Sequence, residues 1–470
     1  MIRICLKFTL IAIFAIPCLC LGQASISLSP KGGPPTTGLR LSGSGFTPGA
    51  QINIYFDLKD EALVIADGTG SFSDVKIEAT PSATPGKHWV SAVQRSGYTG
   101  AQSPFWVHTD WAQLGFEPAH SWSNPYENVL NPRTVRQLSL EWSTTLAPSD
   151  SVDAVNNFLY ISSSDSVYAL NALNGNALWQ YSTGAPVTAT PAVDGKMLFV
   201  GSNDFSVYAL TTSTGSLVWK YTTGSYVVSS PTVANGVVYA CSDDNNVYAL
   251  NENDGSLLWT FATAGPIQFA PSAANGIVYV ASSDGNIYAL SASTGGLVWQ
   301  YTTTPTYNST TPSVVNGVVY VASADSNLYA LNSGNGALLW KTNLGAPADS
   351  SFAAVANGMV YVGSGDGGVF YALDANTGAV RWQYTTRVPV YSASAVADGV
   401  VYFGDGNGFF NAFDALSGKL LWRYVTGRFF PEGVVTNGRV YLSGDLLYAF
   451  DVPGENSSTA QPPNMRNLRP

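Results

Sequence analysis

A tryptophan returns at Trp142, Trp179, Trp219, Trp259, Trp299, Trp340, Trp382 and Trp422. A second aromatic keeps step with it, at Tyr160, Phe199, Tyr239, Tyr279, Tyr320, Tyr361, Tyr402 and Tyr441. Both series advance by roughly 40 residues, and a unit of that length cannot bury an apolar face alone. Its copies must stack. The clearest copy, TPAVDGKMLFVGSNDFSVYALTTSTGSLVW at Thr190 to Trp219, has the composition of strands. Strands repeating at this period predict an all-β ring of four-stranded blades, a β-propeller.

Three turn signals divide each copy. Asn-Gly or Asp-Gly precedes the aromatic, as in Asp194-Gly195, Asn235-Gly236 and Asn316-Gly317, and suits the positive-φ hairpin between first and second strands. An aspartate centres the next loop, at Asp165, Asp204, Asp244, Asp284, Asp325, Asp366, Asp405 and Asp445. A glycine then precedes the later tryptophans, as in Gly215 and Gly255, and joins third to fourth strand. The aspartates recur in every copy, as expected of residues that bond their own turn backbone. A ring of ligands for a cation or sugar would break that symmetry. Third strands such as Val207 to Leu210 are apolar on both faces, as expected of a blade between two neighbours.

The copies also predict how the ring closes. The first tryptophan precedes the first strand set, and the last set, ending at Asp451, has none after it. The stretch Leu138 to Trp142 therefore supplies the outer strand of the last blade, which removes an open edge. Eight blades follow, over residues 138–452.

The rest of the chain differs in kind. Residues 1–24 have the pattern of a secretory leader: Arg3 and Lys7, an apolar run from Phe8 to Leu21, then small residues Gly22 and Ala24. Acylation at Cys18 or Cys20 is disfavoured by the large or rigid Pro17 and Leu19 before them. Such a run is too short to span a bilayer, so no transmembrane span is expected in the mature chain. An extracytoplasmic place follows, whether secreted, periplasmic or cell-surface. Residues 25–109 alternate polar and apolar between turns such as Thr47-Pro48-Gly49, which predicts a small β-sandwich. Residues 110–137 read as a connector and 453–470, rich in Pro, Ser and Asn, as a disordered tail.

Charge and cysteine content narrow the partners. The formal net charge is −10, which disfavours nucleic acid and anionic lipid. Outside the leader only Cys241 remains, so no disulfide forms within the mature chain and an inert buried thiol is expected.

The Tyr-Ala-Leu, Thr-Gly and Trp spacing, with the lead-in Trp111, Gly115, Val135, Leu138 and Trp142, resembles the repeats of the pyrroloquinoline quinone (PQQ) propellers. The segments GSGFTPGA (Gly43 to Ala50) and ATPGKHWVSA (Ala83 to Ala92) are similar to bacterial immunoglobulin-like modules. The first resemblance implies either a quinone dehydrogenase or a cofactor-free binding scaffold. A dehydrogenase of the family would carry an adjacent cysteine pair, a calcium held by Glu, Asn and Asp, and a catalytic aspartate in long insertions. Cys241 stands alone and the repeats leave no room for such insertions.

No catalytic or metal-ligating residue is therefore assigned and no cofactor is expected. His88, His108 and His120 all precede the repeats, which excludes a histidine-based acid/base or zinc site within them. Gly363 to Gly368 is glycine-rich but sits in an aspartate turn, away from any helix N-terminus. The eight tryptophans are packing residues.

Function is expected where the copies diverge, in the loops that join one blade to the next and line the channel mouth. The divergent residues are Tyr226, Gln268 (followed by Phe269), Tyr307, Asp349, Arg387, Tyr391, Arg428 and Glu432. They predict a site for a protein or cell-envelope ligand. The alternative from another class is an enzyme, a quinone oxidoreductase or a carbohydrate-active protein using carboxylates such as Asp349 and Glu432.

Overall fold

The structure, a computed structural model, describes residues 24–96, 99–303, 310–348, 351–427 and 429–454, with positions 463, 465 and 468. The expected leader, apart from Ala24, lies outside the described residues. Among those residues no helix is long and apolar enough to cross a membrane.

The N-terminal part folds as two packed sheets. Ser25–Ser29, Gly38–Ser44 and Phe72–Glu78 form one, and Gly32–Gly33, Gly100–Val107, Gly86–Gln94, Gln51–Phe56 and Lys59–Ile65 the other. Alternation decides the faces: Leu39 and Leu41 point inward to meet Ile52, Ile54, Val90 and Phe105, while Arg40 points out. From the C-terminal stretch, Met465 and Leu468 pack against Tyr55 and Val93, and Gln102 Nε2 donates to the Pro463 carbonyl at 2.9 Å. Most of the expected tail lies outside the described residues.

The repeats form eight antiparallel sheets, each built from four strands taken from the repeats in the predicted order. Asn235 and Gly236 both take positive φ, 53° and 78°, as the tight hairpin requires. The first strands touch one another in sequence: Asp153–Val155, Ala192–Asp194, Thr232–Ala234, Ser272–Ala274, Ser313–Val315, Ala354–Ala356, Ala395–Ala397 and Glu432–Thr436. The last of these touches the first, so the circle is closed. This is the arrangement of a β-propeller. Ser139–Thr144 pairs antiparallel with Leu447–Asp451, with Trp142 opposite Ala449, and ties the two chain ends of the ring together.

Sheets are joined by the tryptophans. Trp219 Nε1 donates to the Glu252 carbonyl of the next sheet at 2.8 Å, and Trp259 and Trp299 do the same to Ala292 and Ser333. A Cβ added at Gly255, which has φ +70°, would lie 2.7 Å from the Trp219 ring, so glycine is required there. Trp142 repeats the contact across the closure, donating to the Ala172 carbonyl at 3.3 Å. The seam of Trp422 differs: the last sheet takes its outer strand from Ser139–Thr144 and has no third-to-fourth turn, and Trp422 packs on Phe450 instead.

The aspartates serve the turns. Asp204, Asp244, Asp284, Asp325 and Asp445 each accept the hydroxyl of a third-strand tyrosine, at 2.5 to 2.7 Å. Asp405 accepts Asn411 Nδ2 instead, at 3.1 Å.

The connector is more than a link. Each first strand is an edge facing the axis, and its polar groups need partners there. Residues 111–124 supply them around the circle. Trp111 and Ala154 exchange two bonds at 2.8 Å. The carbonyl of Ala112 accepts Val193 N–H, and Gln113 Oε1 accepts Val233 N–H. Pro118, Ala119, Ser121 and Trp122 carbonyls accept the amides of Ala273, Val314, Val355 and Val396. Asn124 Nδ2 donates to the Val435 carbonyl at 2.9 Å. The connector also adds Ser123–Asn124 as a fifth strand, parallel to Ala395–Ala397. A buried amide left unpaired costs about 1–3 kcal/mol, so this ring of bonds holds the connector firmly.

Candidate functional site at the mouth of the ring

With the connector across the axis, the two ends of the channel differ. At the ends where the first strands finish, hollows of 540 and 570 Å³ flank the connector, lined by hairpin turns such as Asn275-Gly276 and Asn357. At the ends where they begin lies a cavity of 250 Å³. Connector residue Leu114 reaches into its lining, so the connector floors this cavity.

Two columns of the repeat build the wall. Four residues before each first strand come Ser149, Thr188, Val228, Gln268 and Tyr391, and two residues before it come Ser230, Ala270, Thr311, Phe352 and Glu432. Extended backbone sends alternate side chains to one face, so both columns face the axis together. Phe352 lies between the Phe269 ring, 5.7 Å away, and the connector's Trp122 ring, 5.4 Å away.

The polar groups are held in place. Asp150 Oδ2 accepts the Thr190 hydroxyl at 2.9 Å, while the Asp150 carbonyl accepts Ser443 Oγ at 2.6 Å. Glu432 Oε1 accepts the Ala393 amide at 3.3 Å. Tyr391 donates its hydroxyl to Asp366 Oδ1 at 2.5 Å and sets its ring edge-on to Phe430. Thr311 is 2% exposed, and its hydroxyl has no hydrogen-bond partner among the described residues. No lysine, arginine or histidine is among the residues that line the cavity.

Of the residues expected from sequence, Gln268, Tyr391 and Glu432 meet at this wall. Tyr226 and Arg387 do not. Tyr226 is 47% exposed and packs edge-on to Phe205, and exposed Arg387, at φ 64°, gives its amide to the Gly368 carbonyl. Tyr307, Asp349 and Arg428 lie outside the described residues. Asp150, Thr311 and Phe352 were not anticipated. Their signal was the fixed column before each first strand, which a search for the most divergent residues passes over.

One exclusion is corrected. His120 precedes the repeats in sequence, yet the connector carries it inside the ring, where Nε2 lies 3.0 Å from Thr232 Oγ1. Burial drives its pKa down to about 3. Among the described residues no cluster of His, Cys, Asp or Glu side chains could hold a metal ion. Cys241 is fully buried, and burial pushes its thiol pKa up.

These features define an all-β repeat propeller with a floored channel. Residues 163–324, 263–345 and 324–458 match the PQQ-type repeat family described as outer membrane protein assembly factor BamB. The chain belongs to that family. No curated protein matches it. Among solved structures, BamB from Moraxella catarrhalis shares 20% identity over 67% of this chain and 98% of its own, with a TM-score of 0.59. The quinohemoprotein alcohol dehydrogenase from Comamonas testosteroni shares 16% identity over 76% of this chain and 82% of its own, at 0.63. The computationally designed Ika8 protein shares 15% identity over 67% and 99%, at 0.59. At these identities the likeness is one of fold.

Proposed function

We propose that the chain is an exported, non-catalytic scaffold that binds a protein or cell-envelope ligand at the mouth of its ring. In this reading residues 1–24 are a secretory leader, 25–109 an immunoglobulin-like module, 110–137 the connector and 138–452 an eight-bladed propeller, with 453–470 a tail. Its place is outside the cytoplasm.

The observation that carries the reading is the floored cup. Residues 111–124 bond to every first strand and close the channel, so Gln268, Tyr391 and Glu432 border a shallow recognition surface. Divergent loops on a rigid repeat frame are a common place for recognition. Membership of a family named for outer-membrane protein assembly agrees with a binding role. The donor set argues against a quinone: PQQ is a tricarboxylate, whereas the lining offers Asp150 and Glu432 and no cationic side chain. The residues present do not fit that group.

The test is capture from envelope extract by the full chain and by a Gln268→Ala/Tyr391→Ala/Glu432→Gln variant of unchanged thermal midpoint. The scaffold reading expects a species that the variant loses. Dye-linked alcohol oxidation after addition of quinone and calcium would replace it with the enzyme reading.

A further inference from the structure

The mouth carries a chemical preference. Asp150 and Glu432 come from the first and last sheets, which are neighbours in the closed circle, so two carboxylates share one side of the cavity. Across the cup stand the aromatic side chains of Phe269 and Phe352, with Tyr391 near them. The buried Thr311 hydroxyl, without a partner among the described residues, adds an oxygen acceptor. No lining residue is basic, and the whole chain carries a net charge of −10.

Carboxylates beside aromatic faces attract organic cations twice over, by charge-assisted hydrogen bonds and by the ring quadrupole. A recess with apolar walls concentrates the field of its carboxylates. A neutral sugar would use the rings and hydroxyls but gain nothing from the net charge. The volume of 250 Å³ suits one long side chain, not a folded segment.

Resting on the reading of the mouth as the binding face, we propose that the cup takes the ammonium or guanidinium group of a lysine or arginine side chain presented by a protein partner. Glu432 and Asp150 hold the charge, the Phe269 and Phe352 rings flank the aliphatic stem, and Thr311 accepts a further N–H.

The test is calorimetric titration of the full chain with N-acetyl-arginine methylamide and its lysine counterpart, beside the neutral glutamine counterpart and a disaccharide. The cationic probes are expected to bind, and the neutral ones at least tenfold more weakly. Glu432→Gln and Asp150→Asn should each weaken the cationic probes about tenfold, and added salt should weaken them further. Gln268→Ala, an exposed change at the same wall, should keep the preference for cations and so guard against a variant that merely misfolds. Equal binding of the neutral probe, binding of the disaccharide alone, or indifference to Glu432→Gln and Asp150→Asn overturns the proposal. Envelope capture separates the two levels. If capture depends on mouth residues but cationic probes do not bind, the ligand class is wrong and the mouth stands. If capture ignores the mouth, both fall.

Discussion

His120 Nε2 donates to the hydroxyl oxygen of Thr232, 3.0 Å away, because Thr232 has already given its own proton to the Pro271 carbonyl at 2.5 Å. That fixes the neutral tautomer and leaves Nδ1 bare, buried and without a partner among the described residues. A histidine outside the repeats is thereby bonded into the third sheet, and the connector is held by a group that protonation would disturb.

Acid should therefore loosen the ring through His120. Its folded pKa is depressed to about 3, against about 6.5 when unfolded. A depressed value means stability that is complete above pH 6.5 and is lost as pH falls toward 3. The loss is about 1.4 kcal/mol per pH unit. Chemical denaturation between pH 7 and pH 4 should show this slope, and His120→Gln should flatten it by about one proton.

Gly115 should resist substitution. It has φ +71°, and an added Cβ would lie 2.8 Å from His120 Cβ. Gly115→Ala combines backbone strain with a clash and should cost about 2 kcal/mol. The thermal midpoint of the full chain measures it, and Gly454→Ala, at another positive φ in open surroundings, provides the comparison.

The tryptophans should not be equivalent. Trp219→Phe strips the donor from the Glu252 carbonyl, whereas Trp422 makes no such bond to a following sheet. Trp219→Phe should cost about 1 kcal/mol more than Trp422→Phe. Equal losses in denaturant midpoints would show that ring packing alone joins the sheets.

Asp153 predicts a pH effect of the opposite sign. It is fully buried with neither oxygen partnered among the described residues, and burial, then the charge of Asp150, raises its pKa well above the usual carboxylate range. A raised value means stability that is present below about pH 4 and lost as pH climbs. Asp153→Asn should raise the thermal midpoint at pH 7 by several degrees and change little at pH 4.

The regular parts of this fold were legible because packing repeats. The tryptophan period, the Asn-Gly hairpins and the unpaired Trp142 each follow from burial or turn geometry, and each gave the sheet order and the closure through Ser139–Thr144. The connector was not legible. Residues 111–124 have neither the alternation of a strand nor the period of a helix, because their main chain bonds one neighbour after another around a circle. Gln113 uses a side chain where its neighbours use carbonyls, which no local pattern announces. The mouth was legible in part: Gln268, Tyr391 and Glu432 stood out as departures, while Thr311 and Asp150 resemble ordinary loop residues until the fold brings them to one wall.

The account rests on one asymmetry, a floored channel with recognition at one mouth. A photoreactive benzoyl-phenylalanine placed at Tyr391 in the mouth, or at Glu117 on the connector's opposite side, tests it in the native envelope. The prediction is a discrete crosslinked product from position 391 and none from 117. Products from 117 alone would place the partner on the opposite face and contradict the account.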